Sequence, residues 1–107
     1  MSFEIYKDKA EEYRFRLKAS NGEIILSSEG YSSKAGAMNG IVSVKENSKL
    51  DERFESYTDK AGKYRFRLKA SNGQVIGTGE AYKSEASCKA GIESVKRWAK
   101  EAETKKV

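Results

Sequence analysis

Residues 3–48 of the chain recur as residues 54–99, at a constant offset of 51 and without a gap, and 26 of the 46 aligned positions are identical. The stretch Tyr13–Gly22, YRFRLKASNG, returns letter for letter as Tyr64–Gly73. A unit of about 50 residues rarely buries its own apolar face, so the two copies are expected to pack as one pseudo-twofold domain over residues 1–107. Its parts are repeat 1 over 3–48, a linker over 49–53 and repeat 2 over 54–103.

Within each copy the apolar period changes once. Tyr13-Arg14-Phe15-Arg16-Leu17-Lys18-Ala19 alternates apolar with basic residues, the period of a half-buried strand. Asn21-Gly22 and Asn72-Gly73 then give a strong hairpin signal, predicting a two-residue type I′ turn that sends Glu23–Glu29 back as the third strand. Upstream, Asp59-Lys60-Ala61-Gly62 suits a three-residue turn closed by a left-handed Gly. The same turn in repeat 1 sets Ile5 opposite Phe15 and Glu4 opposite Arg16. Glu11 stands at the Gly62 position, so strain or a different turn is expected there.

Beyond the third strand, Ala37, Ile41 and Val44 in one copy, and Cys88, Ile92, Val95, Ala99 and Ala102 in the other, keep a helical period, with Ser33 and Ser84 as N-caps. The first helix is predicted to stop near Asn47, the second to run toward Glu103, and Thr104–Val107 to fray. The expected fold is α+β: two tandem βββα units, an antiparallel sheet and both helices packed on one face.

The YRFRLKASNG hairpin, the Glu-x-Tyr that ends the third strand (Glu29 and Tyr31; Glu80 and Tyr82) and the Gly-Ile-x-Ser-Val-Lys of the helix (40–45 and 91–96) resemble the YegP-like family. Its members are small bacterial proteins of unknown function. The resemblance spans 3–48 and 54–99 and implies a tandem chain standing in for a dimer of single units, a monomer that acts as a pseudo-dimer. It transfers no catalytic or binding residue. Repeat 1 departs from the pattern at Glu11 and Asn39.

Composition narrows the chemistry. With no His, Ser-His-Asp, Cys-His and His-metal schemes are absent, and one Cys forms neither an intramolecular disulfide nor a cysteine-rich zinc site. No cofactor and no metal are expected. The N-terminus has no basic leader and no apolar run approaches the ~20 residues of a membrane span, so the expectation is a cytoplasmic protein with no membrane contact. Net charge is +5, with +1 in residues 1–50 and +4 in residues 51–107, which permits a polyanionic partner without requiring one.

The leading candidate site is the sheet face opposite the helices, where the register collects Tyr6, Arg14, Arg16, Lys18, Tyr57, Arg65, Arg67 and Lys69. Cations interleaved with aromatics suit phosphate attraction with base stacking. Against this, Glu4 and Glu29 are expected across from Arg16 and Arg14, and Glu55 and Glu80 across from Arg67 and Arg65, a self-neutralised ladder. Ile25 and Ile76 are expected on the same outer face, where they call for some cover.

A second basic region lies on the last helix and tail, with Lys96, Lys100, Lys105 and Lys106. The series Glu85, Lys89, Glu93, Arg97 and Glu101 is expected to form i,i+4 pairs. Cys88 reads as a buried spacer, and Tyr31 and Tyr82 as closures of the sheet–helix edge. Trp98 reads as part of the packing stripe, or as cover for a gap in the second half. Gly77 and Gly79 read as a bulge or a close backbone approach. The favoured function is a non-catalytic binding module with an unknown partner, a protein first. The alternative is a weak, non-specific nucleic-acid binder using Lys18, Lys69 or the C-terminal helix. An enzyme ranks third, since Glu29 and Glu80 face arginines, which oppose the raised pKa that acid/base work needs.

Overall fold

The structure is a computed structural model that describes all 107 residues. Its elements are β1 (Ser2–Lys7), β2 (Tyr13–Lys18), β3 (Ile24–Ser27), α1 (Lys34–Asn47), β4 (Phe54–Thr58), β5 (Tyr64–Lys69), β6 (Val75–Thr78), α2 (Glu85–Trp98) and β7 (Glu103–Lys106), with short 3₁₀ turns at Asp51–Arg53 and Ala99–Glu101. They build one seven-stranded sheet in the order β4-β5-β6-β3-β2-β1-β7. The two repeats join at β3 and β6, which run antiparallel with Ser27 opposite Thr78. These are equivalent positions of the duplication, so the pseudo-dyad passes between them.

Alternation fixes which face is buried. Phe3, Phe15, Leu17, Leu26, Phe66 and Leu68 are all fully buried and meet Val44 and Val95 from the helices. Each helix seats on its own repeat and also reaches across the dyad, α1 to β5 and β6 and α2 to β3. Gly40 lies so close that a Cβ there would stand 2.5 Å from the Tyr31 hydroxyl and 2.8 Å from the Phe15 ring, and Gly91 lies against Tyr82 in the same way. The Gly-Ile-x-Ser-Val-Lys motif is thus a packing device that lets a stacked Phe–Tyr pair (6.2 Å between the Phe15 and Tyr31 rings) sit under the helix. Asn39 is exposed and leaves this packing untouched. Both N-caps form, Ser33 accepting from Gly36 N–H and Ser84 from Ser87 N–H.

The first turn keeps one geometry in both copies, Gly62 at φ 79° and Glu11 at φ 63°, so Glu11 carries the strain of a left-handed residue with a side chain, about 1–2 kcal/mol. Four expectations need correction. The Asn-Gly loops are three-residue turns, with Ala19 N–H donating to Glu23 O, Gly22 N–H donating to Ala19 O and only the Gly left-handed. The strand recovers its register through a bulge between Leu17 and Lys18, since Ile24 faces Lys18 and Leu26 faces Leu17. That extra residue is Ile25, with Ile76 its equivalent, and both are buried in the core rather than displayed on the outer face.

The other two corrections concern the C-terminus. Helix α2 ends at Trp98 in a 3₁₀ turn, and the tail expected to fray is β7, parallel to β1 with Ser2 opposite Glu103 and Ile5 opposite Lys106. Gly77 and Gly79 are the close approaches expected of them: a Cβ on Gly77 would stand 2.8 Å from Leu26, and one on Gly79 would strike the Phe66 ring.

Candidate functional site

Tyr6, Arg14, Arg16 and Lys18, with Tyr57, Arg65, Arg67 and Lys69, stand together on the outer sheet face. The register places Glu55, Arg67, Thr78, Ser27, Arg16, Glu4 and Lys105 side by side, one from each strand. The Arg16 guanidinium lies 4.5 Å from the Tyr6 ring centroid and Arg67 4.1 Å from that of Tyr57. Arg16 Nε donates to Glu4 at 2.8 Å, and Lys18 reaches the same carboxylate at 3.5 Å. Glu55 serves Arg67 at 3.3 Å and Lys69 at 3.1 Å. Lys18 and Lys69, expected free, are therefore paired.

Glu29 and Glu80 do not face Arg14 and Arg65. Past Ser27 the strand slips again: Ser28 Oγ accepts from Phe15 N–H and the next bridge joins Tyr13 to Tyr31, which carries Glu29 away. Arg14 pairs instead with Asp8, at 2.6 Å. In repeat 2 the equivalent Asp59 takes only backbone donors of its turn, and Arg65 donates from Nη2 to Gly79 O while its buried Nε has no protein partner. Five of the six cations have a carboxylate and Arg65 has none.

The pairing has an acid signature. The Asp8 carboxyl is held below its ordinary value by the Glu12 N–H and then by the Arg14 guanidinium, against partial desolvation. A lowered folded pKa contributes stability that is present above the unfolded value and lost as pH falls through the folded one. Asp8→Asn is therefore expected to be less stable than the parent near pH 7, the difference vanishing as pH falls through the lowered pKa of Asp8. Urea unfolding at several pH values checks this, and a constant difference would contradict it.

The other candidates resolve into structural roles. Cys88 is buried and its thiol is pushed up by that burial and by Glu85, the opposite of an activated nucleophile. Tyr31 and Tyr82 stack on Phe15 and Phe66. Trp98 is partly exposed and, with Met1, Ala19, Ser20, Ser94 and Glu101, lines a shallow hollow over the first Asn-Gly turn, so it leaves the core stripe. The i,i+4 pairs along α2 do not form; Lys96 binds Asp51 and approaches Glu93, while Arg97 lies 4.9 Å from the Trp98 ring. No three acidic or Cys side chains converge as a metal-holding group, and no helix is long and apolar enough to cross a membrane.

One feature had no signal in the sequence. A groove of about 360 Å³ opens between β4 and α2, floored by Phe54, Tyr64, Cys88 and Ile92. Only the docking of distant elements creates it.

A family model described as a domain of unknown function (DUF1508) matches the chain twice, over residues 8–55 and 59–105. A UPF0339 protein of Stutzerimonas stutzeri is 55% identical over 106 residues, covering 99% of this chain and 96% of its relative. A UPF0339 protein of Acinetobacter baylyi is 56% identical, covering 88% and 85%. Solution structures of the Shewanella oneidensis UPF0339 protein (TM-score 0.92, 44% identity, 98% and 89% covered) and of Escherichia coli YegP, a protein of unknown function (0.93, 45%, 98% and 90%), superpose on it. The twice-matched unit, the duplicated sheet and this similarity along nearly the whole chain make it a member of the UPF0339 (DUF1508, YegP-like) family, whose function is unknown.

Proposed function

We propose that the chain is a non-catalytic binding module, and that a protein partner seats on the outer sheet face around Tyr6, Arg14, Arg16, Tyr57, Arg65 and Arg67. The reading rests on the stacking of Arg16 on Tyr6 and of Arg67 on Tyr57. A guanidinium held over an aromatic ring has already lost part of its rotamer freedom in folding, so less is lost when its free N–H groups meet a carboxylate. Duplication supplies two such half-sites on either side of Ser27 and Thr78, suited to a partner that presents acidic groups twice. Glu4 and Glu55 weaken the pull on a phosphate chain while leaving directional donors, which favours a protein over nucleic acid.

The nucleic-acid reading draws on one observation, the unpaired Arg65 beside Tyr57. Amide-resolved NMR with mixed-sequence single-stranded RNA at about 150 mM salt separates the two, since screening there extends beyond ~8 Å. The expected result is no saturable shift on the outer face. In the parallel arm, Arg16→Glu with Arg67→Glu is expected to release partners retained from lysate by the parent chain. Retention unchanged by that pair removes the outer face as the binding site, and saturable RNA shifts confined to it put nucleic acid first.

A further inference from the structure

We propose that the free edge of β4, with the groove between it and α2, is a docking site for an extended, lysine-bearing segment of a partner polypeptide that adds to the sheet parallel to β4. The inference is independent of the outer-face reading, because it uses the backbone edge and the helix-facing side of the sheet.

The duplication makes β1 and β4 equivalent, and each pairs with its neighbour in the same register, Phe3 opposite Leu17 and Phe54 opposite Leu68. Only β1 is covered. The turn Ala99–Glu101 packs against α1, Ala102 is buried in the core, and β7 runs along the edge with Val107 N–H donating to Ile5 O at 3.1 Å. The backbone of Ile5 therefore faces outward to β7, and by equivalence that of Ser56 faces outward with nothing beyond it. The burial of side chains follows. Phe3 and Ile41 are 0% and 3% exposed, whereas their counterparts Phe54 and Ile92 are only partly buried and floor the groove. Repeat 2 thus carries the slot that the turn and β7 fill in repeat 1.

Charge selects the occupant. In repeat 1, Lys34 opens α1 beside Lys106 of β7, and the two ammonium groups depress the Lys34 pKa. At the equivalent place in repeat 2 stands Glu85, which lines the groove with no lysine paired to it, whereas the other two lining carboxylates, Asp51 and Glu93, are engaged by Lys96, and Lys89 lines the groove as well. A strand with a lysine at the Lys106 position would meet a carboxylate there where β7 meets an ammonium. Edge strands left open are ordinarily guarded by proline, lysine or a bulge. β4, Phe-Glu-Ser-Tyr-Thr, has no proline or lysine and pairs in unbroken register. Backbone pairing along such an edge, with a side-chain pocket beside it, is strand addition as a mode of peptide recognition.

The test uses the full chain, ¹⁵N-labelled, and a synthetic peptide of residues 99–107, AKEAETKKV, the segment already seated in the equivalent slot. Saturable shifts are expected on Phe54–Thr58 and on the α2 residues of the groove. Ser56→Pro removes an outward N–H without touching the β4–β5 ladder and is expected to weaken binding about tenfold or more. Glu85→Lys, at the exposed first turn of α2, is expected to weaken it as well and stands as a second variant should the proline disturb folding. The proposal is overturned by the absence of saturable shifts up to about 1 mM peptide, a ceiling of only weak binding. It is equally overturned by shifts on β1 in place of β4, by binding indifferent to both variants, or by sedimentation as a dimer with β4 amides protected, which would make a second copy the occupant.

Discussion

Leu26→Ala is expected to cost about 2–5 kcal/mol, among the largest effects a single substitution can have here. Leu26 is fully buried and lies across the pseudo-dyad, against Gly77 on the facing strand. Strict duplication would place a leucine at both positions, and there is room for one: a Cβ on Gly77 would already stand 2.8 Å from Leu26 Cγ and Cδ2. Gly77→Leu in the parent is therefore expected to overpack the centre at a cost of about 1–3 kcal/mol or more. Leu26→Gly combined with Gly77→Leu moves the same side chain to the other side of the dyad and is expected to recover most of what either change loses alone. Urea unfolding of Leu26→Gly, of Gly77→Leu and of the double variant reads the coupling directly. Strictly additive losses would show that the dyad is not the packing axis.

This asymmetry also marks how far the sequence can be read. The repeat fixes the three strands of each unit, the turn positions, the helix faces and the β1–β2 register, because each is written twice, whereas the seventh strand, β7, lies outside the aligned copies. Turn type escapes, since a type I′ turn and a three-residue turn both want Gly after Asn; the feature that decides is the bulge, hinted at only by the run Ile24-Ile25-Leu26. Once the bulge is missed, Ile25 is assigned to the wrong face, while Glu29 goes to the wrong partner through the second slip, past Ser27. That slip recurs in repeat 2, where Gly79 replaces Ser28 and the bridge again joins Tyr64 to Tyr82, so no side chain dictates it and no pattern announces it.

The outer-face cluster was legible because Tyr6, Arg14, Arg16 and their equivalents follow from alternation alone. The pairs that Asp8 and Asp51 make were not, since one reaches from a turn and the other across from the linker to Lys96. The groove beside β4 was illegible for a topological reason. Two repeats generate two equivalent edges, yet the segment that follows α1 becomes β4 itself, and only the segment that follows α2 remains to cover an edge.

That remaining segment carries the second large effect. Glu103-Thr104-Lys105-Lys106 has no apolar face and is exposed throughout, so its own side chains contribute little to the core. Its contribution comes through what it covers: with Ala102 it seals Phe3 and Ile5, and without it β1 would resemble β4, with Phe3 as open as Phe54. Uncovering part of one Phe and one Ile, each worth about 1.5–3 kcal/mol when fully buried, together with the loss of the Ala102 methyl, predicts a deficit of about 2–3 kcal/mol on deleting residues 102–107. For a domain of this size that is a fall of roughly 10–20 °C in Tm. Thermal unfolding measures it, and hydrogen exchange should show the outward amides of β1 losing protection while those of β5 and β6 keep theirs. A frayed tail would leave both readouts unchanged. Lys34→Glu supplies the matching gain: a carboxylate at the start of α1 favours the helix in both chains, and by replacing the ammonium beside Lys106 it is expected to stabilise the intact chain by more than the truncated one. A gain of equal size in both would mean that β7 is not what Lys34 opposes.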